Sequence, residues 1–239
     1  MRFAFPVSRC AKVYSMRVLA LDTTNRAGSV ALVVDDQVVD ERAGDASRTH
    51  GERLPAELEQ LGAAWDSIDV FAVAVGPGSF TGLRIGIATM QGLALVTGRR
   101  LVGVSALEAL AQLASADRGP GELIASWVDA QRGEVFSALY RVADAPMFTP
   151  ERLVELESPA VGSPDATRAA WSRHRLVSAV FAGDGATRYI QGIPPAPLLA
   201  GAIGRMAATS AFRGVTVSPA GIHPLYVRRP DAELARDRH

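Results

Sequence analysis

Thiol chemistry is almost absent from this sequence: Cys10 is the only cysteine. No intrachain disulfide can form, and no thiolate cluster can hold a metal. Histidine is scarce too. His50, His174, His223 and His239 are the four present, and none stands in an H-x-x-x-H or H-E-x-x-H pair, which excludes a helical zinc site of that kind. Net charge is missing: 25 Lys and Arg balance 25 Asp and Glu. A chain that grips nucleic acid unaided usually carries a basic face, so the charge balance argues against nucleic-acid binding by this chain alone. No uninterrupted apolar run reaches the roughly 18–20 residues that span a bilayer. No membrane association is expected, and a cytoplasmic protein is the simplest reading.

What is there suits a packed α/β protein. The chain has 239 residues, 48% of them hydrophobic and 21% charged, enough for one large domain or two small ones with a real core. Residues 1–15, "MRFAFPVSRCAKVYS", are basic with a short apolar stretch. They lack the apolar core and cleavage site of a signal peptide. Met16 opens a clean strand pattern, so residues 1–15 read as a disordered leader or an upstream start. The charged tail 231–239 is expected to fray.

Three strand patterns come first: the apolar runs Arg17–Leu21 and Ser29–Val34, and Gln37–Arg42 with partial alternation, the last two joined by the tight turn Asp35-Asp36. They predict an antiparallel meander. Thr49-His-Gly-Glu52 fits the S/T-x-x-E capping box, and Leu54, Leu58, Leu61 and Trp65 follow at helical spacing. Pro55 is expected in that helix's first turn. A buried strand over Val70–Val75, a glycine turn, a helix over Thr81–Thr97 and a strand over Leu101–Val104 come next. Ser105 is placed to cap a further helix. The order βββ-α-β-α-β is the plan of the ribonuclease-H-like, actin-like fold shared by actin and hexokinase. The second half repeats the theme more weakly. Strands are expected over Leu123–Val128, Glu134–Tyr140, Arg152–Glu157 and Leu176–Ala182, and helices over Pro164–His174 and Leu198–Thr209. This suggests a degenerate second lobe, giving an N-terminal lobe over 16–105 and a C-terminal lobe over 106–230.

The turn "VGPGSFTGLR" at Val75–Arg84 leaves backbone N–H groups of Gly76, Gly78 and Gly82 open at a helix N-terminus, where an anion is favoured. No lysine follows in G-K-[ST] order, so it is not a P-loop. Tight strand-to-helix packing is the plainer explanation of the glycines. Asp22, Thr23 and Thr24 end the first strand, where actin-like ATPases set a carboxylate and hydroxyls near metal-bound phosphate. Gly183, Asp184 and Gly185 offer a second candidate phosphate or adenosine loop. Each is also readable as a plain turn. In the helix after the glycine turn, Gly82, Gly86 and Thr89 form a small-residue side, and Leu83, Ile87 and Met90 an apolar stripe. Taken alone, this fits internal packing best; an intermolecular helix bundle is the sharper alternative. His50 reads as a capping or packing residue more readily than as a ligand or base. No nucleophile–base–carboxylate set emerges from the spacing, and no catalytic residue is assigned.

Together, "ALDTTNRAGSVALVVDDQVV", "THGERLPAELEQL", "FAVAVGPGSFTGLRIGIATMQGLALVTGRRLVGVSALEALA", "DAQRGEVFSALY" and "AGDGA" resemble the TsaB (YeaZ) family, strongly over Met16–Tyr140 and more thinly to Tyr226. The resemblance implies an actin-like, two-lobed fold and a part in making N6-threonylcarbamoyladenosine in tRNAs that read codons beginning with A. It implies a degenerate, non-catalytic relative of the transferase TsaD, whose metal-binding helix carries two histidines where this chain has only His50. The implied partners are TsaD as a heterodimer, the ATPase TsaE, and a second copy when the chain is alone. Contact with tRNA would be indirect, through the complex. No intrinsic metal or cofactor is implied, though ATP or ADP would fit at the complex interface. The family's interface is built from the two N-lobe helices, which makes His50, Leu54, Leu58, Gly82, Leu83, Gly86, Thr89 and Met90 the contact candidates. The family pattern has H-S where this sequence has His50-Gly51. The competing readings are an actin-like ATPase or kinase that binds ATP alone, resting on Asp22-Thr23-Thr24 and Gly183-Asp184-Gly185, and a metallopeptidase, for which clustered ligands are lacking.

Overall fold

The computed structural model describes residues 15–61 and 64–228. The leader to residue 14 and the tail expected over 231–239 lie outside the described residues.

Short apolar runs set the architecture. Strands β1 (Arg17–Asp22), β2 (Ser29–Val34) and β3 (Gln37–Ala43) form the expected antiparallel meander. β4 (Val70–Gly76) joins β1 in parallel, and β5 (Arg100–Ser105) joins β4, giving the order β3-β2-β1-β4-β5. A second sheet uses β6 (Leu123–Asp129), β7 (Val135–Val142), β8 (Leu153–Gly162) and β9 (Val180–Ala182) in the order β8-β7-β6-β9. Its three antiparallel strands plus a parallel fourth repeat the first sheet's plan. The fold is α/β, actin-like and two-lobed.

Both faces of the first sheet are covered, which is why its strands read as near-continuous apolar runs. Leu19, Leu21, Val30, Leu32, Phe71 and Val73 face α1 (His50–Gln60) and α2 (Phe80–Thr97) through Leu54, Leu58, Ile87 and Met90. Val18, Ala20, Val33 and Ala72 face α3 (Ala106–Ala114) and α6 (Ala200–Phe212), which also meet Ile124, Val128 and Phe136 of the second sheet. The outer face of that sheet packs Trp127 and Leu139 on Trp171, just after α4 (Pro164–Ala170), and on Ala186 of α5 (Asp184–Tyr189). Although α6 lies late in the chain, it crosses the first sheet: Gly204 sits against Val33 and Ala20.

The local signals were sound where side chain and backbone interact directly. Glu52 accepts from both the N–H (2.8 Å) and the hydroxyl (2.7 Å) of Thr49 at the start of α1. The Ser105 hydroxyl accepts from Glu108 N–H at 3.4 Å. Three expectations need correction. Pro55 lies beyond the first turn of α1, so it removes an interior helix bond to the exposed Gly51 carbonyl. The strand expected over Leu176–Ala182 shrinks to Val180–Ala182 because Leu176–Ser178 coils into a 3-10 turn. And the helix expected over Pro164–His174 ends at Ala170, with Trp171 as its C-cap. By length and composition α2, with 18 residues and a mean hydropathy of 1.2, is apolar enough to cross a membrane, but its inner stripe Leu83, Ile87 and Met90 lies in the protein's own core.

Candidate functional site

The turn after β1 and the glycine turn after β4 close on each other at the carboxyl ends of the parallel strands, where open α/β sheets place their crevice. Asp22, Thr23 and Thr24 are all buried. The Asp22 carboxylate accepts from the Thr24 N–H at 2.8 Å and the Thr24 hydroxyl at 2.7 Å. Burial pushes the Asp22 carboxyl above its ordinary range against those two bonds, with Asp184 and Glu41 adding to the rise. This acid is spent on its own turn.

The three glycines of the joint are needed for contact. A Cβ on Gly78 would lie 2.5 Å from the Thr24 carbonyl oxygen, one on Gly82 2.2 Å from that of Thr23, and one on Gly86 2.1 Å from Thr23 Oγ1. Ser79 N–H donates to the Thr24 carbonyl at 2.7 Å, and Gly82 N–H to the Ser79 hydroxyl at 3.2 Å. The Ser79 amide is thus committed to holding α2 on the β1 turn, and the Gly82 amide to capping α2 through Ser79. Gly76, at φ 114°, turns the chain out of β4.

His50 joins the same assembly from α1. Arg53 Nη2 donates to its Nδ1 at 2.6 Å, so Nδ1 accepts and Nε2 carries the proton, donating to the Asn25 carbonyl at 3.0 Å. Burial, then the neighbouring Arg53 charge, hold its pKa below the ordinary value. Arg53 is itself 2% exposed. It donates to both Glu57 carboxylate oxygens at 2.6 Å and to the Ala27 carbonyl. Nothing in the sequence marked this arginine; its only local signal is its place i−4 to Glu57 on one helix face.

Gly183, Asp184 and Gly185 lie across the crevice at the start of α5. Gly183 has φ 108°, and a Cβ there would lie 2.1 Å from the Trp127 carbonyl oxygen. Asp184 accepts from Asp129 N–H at 2.8 Å, and burial raises its pKa. This loop packs on β6 as the glycine turn packs on β1.

The partner candidates do not form an outer face. His50, Leu54, Leu58, Gly82, Leu83, Gly86 and Met90 are buried, and only Thr89 is half-exposed. The small-residue side of α2 faces the protein's own β1 turn, because that is the only way β1 and α2 can approach so closely. The opposite side is open and also apolar: Ala88, Gly92, Leu95 and Val96 follow at helical spacing, with Leu95 75% and Val96 88% exposed. Arg84 is the helix's only charged residue. On α1, Pro55, Ala56 and Glu59 are exposed. Among the described residues, no group of three or more His, Cys, Asp or Glu gathers as a metal site would require.

Residues 41–170 match the family model described as TsaD: tRNA N6-adenosine threonylcarbamoyltransferase. The tRNA threonylcarbamoyladenosine biosynthesis protein TsaB of Escherichia coli (strain K12) is 39% identical over 130 residues, 53% of this chain and 55% of that protein. The protein of the same name from Bacillus subtilis (strain 168) is 35% identical, over 53% and 56%. The chain thus spans about half the length of the curated relatives it matches. Among solved structures, a Pseudomonas aeruginosa protein described as similar to peptidase YEAZ has a TM-score of 0.72 at 31% identity, over 89% of this chain and 100% of that one. YeaZ from Pseudomonas aeruginosa has a TM-score of 0.66 at 29% identity, over 88% and 99%.

Proposed function

The chain belongs to the TsaB (YeaZ) family, and from that premise we propose that it is a non-catalytic partner of TsaD in the formation of N6-threonylcarbamoyladenosine in tRNA. The observation that carries this reading is the outer face of α2. A helix with one charge keeps Ala88, Gly92, Leu95 and Val96 in water. Exposed apolar helix faces of this kind are interaction sites. TsaD is the proposed occupant, with a second copy of this chain in its absence and TsaE as a third component. The tRNA is reached through the complex.

Two features support a supporting role over a chemical one. Both nitrogens of His50 are engaged within the fold, and Asp22 is engaged by Thr24. ATP or ADP enters this reading only as a ligand at the joint interface.

The test is to mix the protein with TsaD of the same organism and follow complex formation by size-exclusion chromatography with light scattering, with and without ATP. The complex is expected for the parent chain and is expected to weaken at least tenfold in Ala88→Arg, which sets a charge at an exposed position of that face. A complex indifferent to Ala88→Arg would remove the α2 face from the interface. No complex, with ATP bound tightly by the lone chain, would favour the kinase-like reading instead.

A further inference from the structure

We propose that residues 224–228 form a latch that ties the two lobes together across the mouth of the crevice, with Arg228 as its releasable end. On the first lobe, Leu225 N–H donates to the Val75 carbonyl at 2.7 Å, at the end of β4. A Cβ on Gly76 would lie 3.0 Å from the Leu225 carbonyl oxygen, so the strap is seated directly on the glycine turn. The Tyr226 ring stacks on Phe80 with centroids 5.1 Å apart, and its hydroxyl accepts from Arg84 Nε at 2.9 Å. Two residues later the chain has reached the other lobe. Arg228 Nη1 donates to the Ala130 carbonyl at 2.8 Å, Nη2 pairs with Glu134, and the guanidinium lies 5.5 Å from the Phe136 ring. Ala130 and Glu134 belong to the hairpin between β6 and β7.

The two ends of the strap are unequal. The first combines a backbone bond with ring stacking. The second rests on one carbonyl bond, a guanidinium–ring contact and an ion pair whose side chains are 23% and 39% exposed, and water and salt weaken that pair. Arg228 therefore lets go first. On the far side the sheets share the core built on α3 and α6, so release permits a rotation about that shared core rather than a separation of the lobes. The latch sets how far the 129–135 hairpin stands from the glycine turn, and its first anchor is α2 itself, through Phe80 and Arg84.

Hydrogen exchange read by mass spectrometry on the full chain tests this. In Arg228→Ala, exchange is expected to rise about tenfold in both the 129–135 hairpin and the 75–80 turn. Arg228→Lys keeps the charge opposite Glu134 and should recover part of the protection in both. A rise confined to the hairpin would reduce Arg228 to a local contact and overturn the latch. Should the alanine variant fail to fold, the parent chain in about 1 M salt screens the same pair. Coupled loosening of the two segments would support the proposal, and unchanged protection in either would sink it.

Discussion

Gly86 and Gly92 lie on one helix and answer to opposite physics. Gly86→Ala places a Cβ 2.1 Å from Thr23 Oγ1 and 3.1 Å from its Cγ2, on a side chain that is fully buried. Thr23 cannot swing away into solvent, so α2 must move off the β1 turn, taking the contacts of Gly78 and Gly82 with it. Overpacking of this kind costs about 1–3 kcal/mol. The gain in helix propensity from glycine to alanine returns about 0.5–1 kcal/mol, leaving a net loss of up to about 2.5 kcal/mol. Gly92→Ala meets nothing within 4 Å and keeps the whole propensity gain. For a chain of this size each kcal/mol moves the melting temperature by about 2–4 °C. Gly86→Ala should therefore melt up to roughly 10 °C below the parent, and Gly92→Ala roughly 1–4 °C above it. Urea unfolding gives the free energies directly. Thr23→Ala removes the Oγ1 that Gly86→Ala strikes, so the double variant should regain at least about 0.5 kcal/mol over additivity. If Gly86→Ala proves as stable as Gly92→Ala, the close approach of α2 to β1 is not what those glycines serve.

Two further outcomes follow from the buried polar groups. His50 is held neutral with its pKa below the ordinary 6.5, so as pH falls through about 6.5 the unfolded chain takes up a proton the folded chain refuses. Stability is then present above that pH and lost below it, by at most about 1.4 kcal/mol per pH unit; His50→Gln should flatten urea-unfolding free energies measured between about pH 7.5 and 5.5, and an unchanged slope would contradict the assignment. At Asp22, Asp→Asn keeps an acceptor for Thr24 while removing a buried charge, and should leave stability near the parent's at neutral pH. Asp22→Ala strands the Thr24 N–H and hydroxyl and should cost about 1–3 kcal/mol; equal effects of the two substitutions would refute the view that this carboxyl serves its own turn.

The sequence by itself determined the elements whose signal is short-range. The apolar run Ser29–Val34, the Thr49–Glu52 capping box and the Ser105 cap each depend on residues within one turn or one strand, and each appears where expected. The order of those elements was enough for the fold, since only a few topologies connect a meander to alternating helix and strand. Tertiary structure decided which way α2 faces. Both of its sides are small or apolar, so periodicity could not say whether Gly82 and Gly86 or Ala88 and Gly92 met the sheet; the packing of Thr23 against Gly86 settles it. Tertiary structure also decided the role of Arg53 and Arg228. Their partners at Ala27, Ala130 and Glu134 lie far away in sequence, and contacts made by chain folding leave no local pattern to read.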